Sequence, residues 1–326
     1  MKPTSIIFLV VSLVIILVGW IICGAAESSA EADGVQIFDS TITSDKNTVN
    51  TVTFGSEDIY NKIEIVADDA DVYIYGGYSE PYMELVNFKD GSYRMTMTNR
   101  IINVDTTIDL MSVIKFWESG FSFRGLRNYL HRSDSAAEAS RRINLYLPSD
   151  GDVNVINVTL DSGSVYVSNF ETQIDVNLTL GKGNAVFTSF ITDSQISAEI
   201  NSGDIYLRDV ESGIFRAVMY DGDITAQNFK FRDVNIVGST TSVSLLLMAD
   251  MGDFTMNLSA RHGNINLFGE SRGHELRQES NTSASALVTV TSGDIIIERG
   301  EAVHKPTTGT DETSGETDTT EPEGIE

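Results

Sequence analysis

The stretch NSGDIYLRDV, residues 201–210, places a Ser-Gly-Asp step before a short run of alternating apolar and polar residues. Similar steps occur in YDGDITAQNF at 220–229 and in TSGDIIIERG at 291–300. Glycine suits a backbone turn that other residues resist. Alternation with a period of two is typical of a strand with one buried face. Each stretch therefore predicts a turn followed by a strand.

This step belongs to a repeat that covers most of the chain. Seven equivalent turn positions follow one another at spacings of 20, 20, 19, 19, 22 and 30 residues. They are Gly163, Gly183, Gly203, Gly222, Thr241, Gly263 and Gly293. Ser, Asn or Asp follows each of them, and we expect its side chain to hydrogen-bond local backbone. The alternation predicts that Ile205 and Leu207 are buried and that Tyr206 points outward.

One repeat is thus a strand, a glycine turn, a second strand and a corner that a large apolar residue closes. The corner residue lies seven positions after the glycine, and the first five repeats place there Phe170, Phe190, Val210, Phe229 and Met248. Noisier units turn at Ala70, Gly91 and Gly151. About ten turn-centred units cover residues 61–300.

The same residue class recurs in every column of the repeat, which favours stacking of like on like. We therefore predict an all-β fold, a parallel β-solenoid with rungs of about 20 residues, preceded by one transmembrane helix. The alternative is an antiparallel β-hairpin array or a sandwich. Hairpins usually carry Asn-Gly or Asp-Gly turns, and few turns of the repeat, among them Asp221-Gly222 and Asp150-Gly151, have one.

An uncharged run, SIIFLVVSLVIILVGWIIC, occupies residues 5–23. As a helix it is about 28 Å long, close to the thickness of a bilayer core. Lys2 precedes the run and acidic residues follow it, so the N-terminus is predicted to stay inside the cell. We interpret residues 1–4 as a cytoplasmic stub and 5–24 as a transmembrane signal-anchor in a single-pass protein of the cell membrane. A cleaved signal peptide is the alternative.

The rest of the chain is predicted to lie outside the cytoplasm. Residues 25–57 form a linker and N-terminal cap strands, and residues 58–300 form the β-strand-repeat domain. Residues 301–326 are rich in Thr, Glu and Asp, which predicts a disordered acidic tail. The net charge of −25 argues against a nucleic-acid partner. The single cysteine, Cys23, allows no zinc site built on cysteines, and we expect no cofactor.

Residues 106–142 interrupt the repeat. From Lys115 to Arg142 there are six basic and three acidic residues, and aromatic residues lie among them. Arginines with aromatic rings suit lipid headgroups or anionic glycans. The candidate ligand or membrane contacts are Trp117, Phe121, Arg124, Arg127 and Arg132. The alternative is an insertion that packs on the repeat and closes an edge.

The series LPSDGDVNV, DSGSVYV, NSGDIYL, YDGDITA and TSGDIII resembles the "putative adhesin" family of bacterial β-strand-repeat proteins, formally a domain of unknown function. The resemblance covers about residues 58–300, and Thr241 departs from it because the glycine is missing there. It implies a β-repeat fold behind an N-terminal membrane segment. It supplies no catalytic residues.

We expect a non-catalytic, adhesin-like module that binds a cell-envelope component, which can be a glycan, a lipid or a protein. One alternative is the ectodomain of an envelope sensor or regulator that works with a membrane partner protein. A third is a polysaccharide-active β-helix enzyme that uses paired carboxylates such as Asp204 and Asp223. Asp204, Asp221 and Asp223 are also candidates for calcium binding. Ser, Asn and Asp exchange freely in this column, so a role in the turn is the simpler interpretation.

Overall fold

The computed structural model describes residues 36–37, 42–44, 47–54, 60–88, 93–106, 140–148 and 152–300. All regular secondary structure in these residues is β-strand, and the strands join into one 22-stranded sheet. The all-β prediction is confirmed. No helix among the described residues is long and apolar enough to cross a membrane. The predicted stub, signal-anchor and acidic tail lie outside the described residues.

The strands fall into three groups along the chain. The first group is β1 (Gln36–Ile37), β2 (Ile42–Ser44), β3 (Asn47–Thr53), β4 (Lys62–Asp69), β5 (Asp71–Tyr75), β6 (Tyr82–Val86), β7 (Arg94–Thr98), β8 (Ile101–Asp105) and β9 (Arg142–Tyr146). The second is β10 (Val155–Ser162), β11 (Val165–Glu171), β12 (Asp175–Lys182), β13 (Ala185–Ser202), β14 (Ile205–Asp221) and β15 (Ile224–Thr240). The third is β16 (Val243–Leu247), β17 (Thr255–His262), β18 (Ile265–Leu267), β19 (Glu270–Gly273), β20 (Glu275–Gln278), β21 (Ser285–Ser292) and β22 (Ile295–Arg299).

Equivalent strands of successive repeats lie side by side in two columns. We call the column of strands before the glycine turn the first arm and the column after it the second arm. One strand of the first arm and the strand of the second arm that follows it in the chain form a rung. β4, β10, β12 and the second halves of β13 to β15 pair in parallel in the first arm. β5, β11, the first halves of β13 to β15 and β16 do so in the second arm. From β10 to β15 each paired residue meets the one 19 or 20 positions further on, as Ala185 meets Ile205.

Each arm buries one apolar face in a shared core. Ile205 and Leu207 are 0% and 1% exposed, whereas Tyr206 between them is 42% exposed, which confirms the predicted alternation. In the core the Phe215 ring of the first arm meets the Phe229 ring of the second arm in the same rung, with centroids 5.6 Å apart. Each buried side chain of this size contributes about 1.5–3 kcal/mol, so apolar burial supplies much of the stability of the stack.

The corner residues are buried as predicted in four repeats and shifted in the fifth. Phe170, Phe190, Val210 and Phe229 are all 2% exposed or less. Phe229 pairs with Leu247, so the prediction of Met248 was wrong. In the first four repeats a residue with positive φ precedes the corner, such as Asn228 at 59°. The fifth repeat has no counterpart to Asn228 in the pairing, so its corner residue comes one position earlier.

The glycine turns bring the backbones of neighbouring rungs into direct contact. Gly163, Gly183, Gly203 and Gly222 have φ between 124° and 142°, a region that residues with a side chain rarely adopt. A Cβ on Gly203 would lie 1.9 Å from the carbonyl oxygen of Gly183. Both the backbone angle and the close approach therefore require glycine.

Thr241 replaces the turn glycine in one repeat, and Gly238 makes room for it. The Thr241 side chain is buried, and a Cβ on Gly238 would lie 2.6 Å from the Thr241 Cβ. The Thr241 N–H donates to the Ser292 carbonyl at 2.8 Å. The turn without a glycine thus keeps its backbone hydrogen bond to the neighbouring rung.

Stacking order differs from chain order at the C-terminal end. β21 pairs in parallel with β15 on one side and with β17 on the other, and β22 lies between β16 and β18 in the same way. The last rung is therefore inserted between two rungs that precede it in the sequence. β20 and β19 pair antiparallel with β17 and β18 and cover the outer edge of the stack. Such covering prevents strand addition by another chain.

At the other end, residues 106–142 split one rung into two distant pieces. β8 pairs in parallel with β4, and β9 with β5, so β8 and β9 form the two arms of one rung. The prediction of a separate repeat unit at Gly151 was wrong in its leading strand, because β9 belongs with β8. The unit at Gly91 differs too, since β6 and β7 run antiparallel to β9 and β8. β3 and β1 pair antiparallel with β6 and β7.

Gly203→Ala tests the close approach at the turn. We expect it to lower the free energy of unfolding by at least about 2 kcal/mol, because it adds backbone strain to a clash with the Gly183 carbonyl. Gly252→Ala is the matched control, since a Cβ there meets no atom within 4 Å and should change stability by less than about 0.5 kcal/mol. Chemical denaturation measures both, and equal effects would contradict the role of the turn column.

Candidate ligand-binding site

The five contacts predicted from the 106–142 segment, Trp117, Phe121, Arg124, Arg127 and Arg132, lie outside the described residues. Both ends of the segment are described and lie at the turn edge of the stack. The Thr106 N–H donates to the Val66 carbonyl, and the Asp71 N–H donates to the Arg141 carbonyl, each at 3.0 Å. The segment therefore leaves and returns where a rung elsewhere has its tight turn.

The acidic residues after the turn glycines have a structural role. The Asp223 N–H donates to Asp204 Oδ1 at 2.8 Å, and the Ser242 N–H donates to Asp223 Oδ1 at 3.1 Å. Asn184 Oδ1 accepts the Asp204 N–H in the same way at 2.9 Å. The acceptor oxygen thus caps a backbone N–H group of the next rung. The sequence predicted a hydrogen bond to local backbone instead. Ser, Asn and Asp exchange in this column because each offers an oxygen acceptor.

The three suggested calcium ligands are not grouped with other ligands. Asp221 ends β14 and pairs with Ser202 and Thr240 of the neighbouring strands, while Asp204 Oδ2 accepts the Tyr206 hydroxyl at 2.9 Å. Nowhere in the described part of the chain do three His, Cys, Asp or Glu side chains cluster closely enough to hold a metal ion. Calcium binding at Asp204, Asp221 and Asp223 stays a prediction.

A different surface concentrates side chains that suit binding. Six of the eleven tyrosines of the chain lie together on or beside the outer face of the second arm, near the N-terminal end of the stack. We call this surface the tyrosine face, and it consists of Tyr73, Tyr75, Tyr78, Tyr82, Tyr146 and Tyr166. Five lie at outward positions of β11, β5, β9 and β6, and Tyr78 follows β5 in the corner.

The rings of neighbouring strands stack because the strands pair in register. The Tyr73 and Tyr166 rings are 4.5 Å apart at their centroids and 10° from parallel, and these residues pair directly. Tyr146 stacks between Tyr75 at 5.2 Å and Tyr82 at 4.2 Å. The Tyr78 ring meets Tyr146 edge-on at 4.8 Å and is 40% exposed. The result is a continuous row of rings across four strands.

Polar side chains lie beside the row and make contacts with its rings and with each other. The Arg142 guanidinium lies over the Tyr73 ring, 4.9 Å from its centroid, which is a cation–π contact. Glu84 Oε2 accepts from Asn144 Nδ2 at 3.0 Å and from the Tyr146 hydroxyl at 3.2 Å. Arg142 and Glu84 therefore each have a contact within the protein.

Four phenols of the face, those of Tyr73, Tyr75, Tyr82 and Tyr146, are uncharged at neutral pH. Burial raises the pKa of the Tyr73, Tyr75 and Tyr82 phenols. Burial raises the pKa of Tyr146 most, and the Glu84 carboxylate raises it further by its charge and by accepting the hydroxyl. Ionisation would place phenolate charge among stacked rings and beside a carboxylate. The face therefore offers hydroxyl groups and ring edges.

Sequence reasoning missed this face, although part of the signal was visible. The position three after the turn, which is predicted to point outward at Tyr206, holds Tyr73, Tyr166 and Tyr206 in three rungs. Val186 separates Tyr166 from Tyr206 in the pairing, so the row ends at Tyr166. Tyr146 and Tyr82 carried no signal, because they come from the split rung and from an antiparallel strand.

The stacked β-rungs define an all-β repeat domain. A family model described as Toastrack DUF4097 matches residues 60–298. The chain belongs to this Toastrack family, a domain of unknown function, and the resemblance stated from the sequence is confirmed.

Several crystal structures are similar to this chain. One, of a "putative adhesin" from Bacteroides fragilis, is 14% identical, with 79% of this chain and 98% of that chain covered and a TM-score of 0.45. Another, of a "putative cell adhesion protein" from Clostridium sporogenes, is 12% identical, with 78% and 100% covered and a TM-score of 0.35. A "putative lipid binding protein" from Parabacteroides distasonis is 11% identical, with 78% and 97% covered and a TM-score of 0.37. No curated protein matches the chain.

Alkaline unfolding tests the pKa shifts of the face. Because the folded pKa values are raised above the ordinary value of 10.0, the stability they provide is complete below about pH 10 and is lost as the pH rises through the folded values. We expect the free energy of unfolding to fall above about pH 10, and Tyr146→Phe to make this fall shallower. Denaturant titrations between about pH 8 and pH 11 measure the slope.

Tyr220→Phe serves as the control for that experiment, because Tyr220 is 53% exposed and lies outside the face. Its slope should match that of the wild type. If Tyr146→Phe and the wild type fall in parallel, the environment assigned to Tyr146 is wrong.

Proposed function

We propose that this chain is a membrane-anchored, extracytoplasmic and non-catalytic binding module of adhesin type, which contacts its ligand through the tyrosine face. The observation that carries this is the half-buried row of five stacked tyrosines with the exposed Tyr78 edge-on beside it, bordered by Arg142, Glu84 and Asn144. Tyrosine supplies a large amphipathic contact area with little side-chain entropy to lose, and it is enriched at binding hot spots.

The body that presents the face is, in this proposal, a parallel β-solenoid. Its support is the parallel register of 19 or 20 residues between neighbouring rungs. In such a stack each rung contacts only its neighbours, so a surface that spans several rungs is held at fixed spacing. A rigid surface binds without a large ordering cost.

A binding role without catalysis agrees with how the acidic residues are used. Asp204 and Asp223, which would be the carboxylate pair of a polysaccharide-active enzyme, cap backbone N–H groups of the next rung. A catalytic pair needs one carboxyl group free to donate a proton and another free to attack or to activate water. Non-catalysis is therefore the reading that we propose.

Binding to envelope material tests the tyrosine face. We expect the full-length chain with both Tyr78→Ser and Tyr82→Ser to capture envelope fractions at least about tenfold more weakly than the wild type, because two hot-spot rings are lost. Tyr220→Ser is the matched control, since it removes an exposed tyrosine outside the face and should bind like the wild type. Thermal unfolding of each variant reports whether the fold is intact. Equal capture by all three proteins would refute the face as the binding site.

The predicted contacts Trp117, Phe121, Arg124, Arg127 and Arg132 are proposed as a second ligand or membrane contact. Changing the three arginines to Ser should weaken capture at low salt only, because the charge attraction is screened at high salt. Loss of capture in this variant, with full capture by the tyrosine variant, would assign binding to the segment.

Membrane anchoring is tested by protease accessibility. We propose that residues 5–24 hold the chain in the membrane with the repeat domain outside, because the run is uncharged and Lys2 precedes it. Protease added to intact cells should remove the repeat domain, while a cytoplasmic marker protein stays intact. Full-length chain in the cytosol, or only a processed form in the medium, would contradict this topology.

A further inference from the structure

We propose, on the basis of the binding function above, that the ligand of the tyrosine face is a neutral glycan chain. It would lie across the strands along the row from Tyr166 to Tyr82. Three properties of the face lead to this class of ligand: the part of each ring that is accessible, the contacts that already engage Arg142 and Glu84 beside the row, and the size of the row.

The stacked rings offer hydroxyl groups and ring edges to a ligand. Tyr73 and Tyr166, and likewise Tyr146 and Tyr82, use ring faces on each other at 4.5 and 4.2 Å. A ring stacked in this way leaves its edge to solvent. A phenol hydroxyl can both donate and accept hydrogen bonds, although the Tyr146 hydroxyl already donates to Glu84. Such a row suits a ligand covered with hydroxyl groups. A lipid acyl chain would instead need an apolar groove.

Arg142 and Glu84 beside the row already contact its rings and the Asn144 amide, which favours a neutral ligand. Arg142 lies over the Tyr73 ring, and Glu84 accepts hydrogen bonds from Asn144 and Tyr146. The chain as a whole carries a net charge of −25 and would repel anionic material. The amide, carboxylate and guanidinium groups still have planar polar edges beside the row, of the kind that orient hydroxyl groups in binding sites.

The size of the row favours a narrow, chain-like ligand over a protein surface. The row crosses four strands, β11, β5, β9 and β6, and three strand spacings amount to about 14 Å. With roughly 200 Å² per tyrosine and well under half of each ring accessible, the rings present less than about 500 Å². A stable protein interface takes about 800 Å² from each partner. A row longer than one sugar ring and only two side-chain columns wide fits an oligosaccharide.

Selective destruction of envelope components tests the ligand class. The full-length chain is used to capture an envelope fraction after no treatment, after periodate oxidation of vicinal diols, after proteinase K digestion, or after chloroform–methanol extraction. We expect periodate to reduce capture at least about tenfold, to the level of the variant with Tyr78→Ser and Tyr82→Ser. Protease digestion and lipid extraction should leave capture unchanged. Capture of the untreated fraction by the variant with Arg124, Arg127 and Arg132 changed to Ser should also be the same at about 0.05 M and about 0.5 M salt.

The outcomes separate this inference from the binding function itself. Capture that survives periodate, or that proteinase K or lipid extraction abolishes, overturns the glycan as ligand. The tyrosine face would still be the binding site in those cases if the tyrosine variant binds weakly and Tyr220→Ser binds normally. Capture by that arginine variant that falls steeply with salt also overturns a neutral ligand. If the tyrosine variant captures as well as the wild type, the proposed site fails first and the inference fails with it.

Discussion

The contact between backbones at the glycine turns is the constraint on which the rest of the structure depends. The carbonyl oxygen of one turn occupies the place where the next turn would have its Cβ, within 1.9 Å at Gly183, Gly203 and Gly222. Rungs can therefore approach to hydrogen-bonding distance at the turn as well as along the strands. The same register aligns the apolar columns, the side-chain caps and the tyrosine rings of neighbouring rungs. The row of rings at 4.2 to 5.2 Å between strands is one result of it.

The same constraint separates residues that maintain the stack from residues that are free to serve a function. The position after the glycine must supply an oxygen acceptor to the next rung, as Asn184, Asp204 and Asp223 do. An acidic residue there follows from the backbone geometry. Outward positions on the strands carry no such requirement, because the ladder of hydrogen bonds is made by the backbone. A cluster of one residue type at those positions therefore points to use by a ligand.

Local patterns allowed much of the fold to be predicted, and non-local pairing hid the rest. The turn column and the burial of Ile205 and Leu207 are visible in the sequence because each repeat contains its own turn and alternation. Leu247 was not predicted as the corner residue because the fifth repeat lacks the residue with positive φ that precedes the corner in the first four repeats. The sequence around Thr241 does not show that this residue is missing. The rung of β8 and β9 was missed because residues 107–139 separate its two arms. The tyrosine face was missed for the same reason, since only that rung and antiparallel β6 bring Tyr146 and Tyr82 together.

The insertion of the last rung between two earlier ones also affects how the chain reaches its final state. β15 and β17 complete their pairing only when β21 lies between them, and β16 and β18 complete theirs only when β22 lies between them. A chain that emerges from its N-terminus cannot complete the stack by adding rungs in the order of synthesis, because the gap closes only when residues 285–299 have arrived. Before that moment two strand edges on either side of the gap are unpaired, and such edges recruit strands from other molecules. Residues 285–299 thus complete the assembly by entering between two rungs. As a result, the last rung of the sequence is an interior rung of the stack and not an end rung.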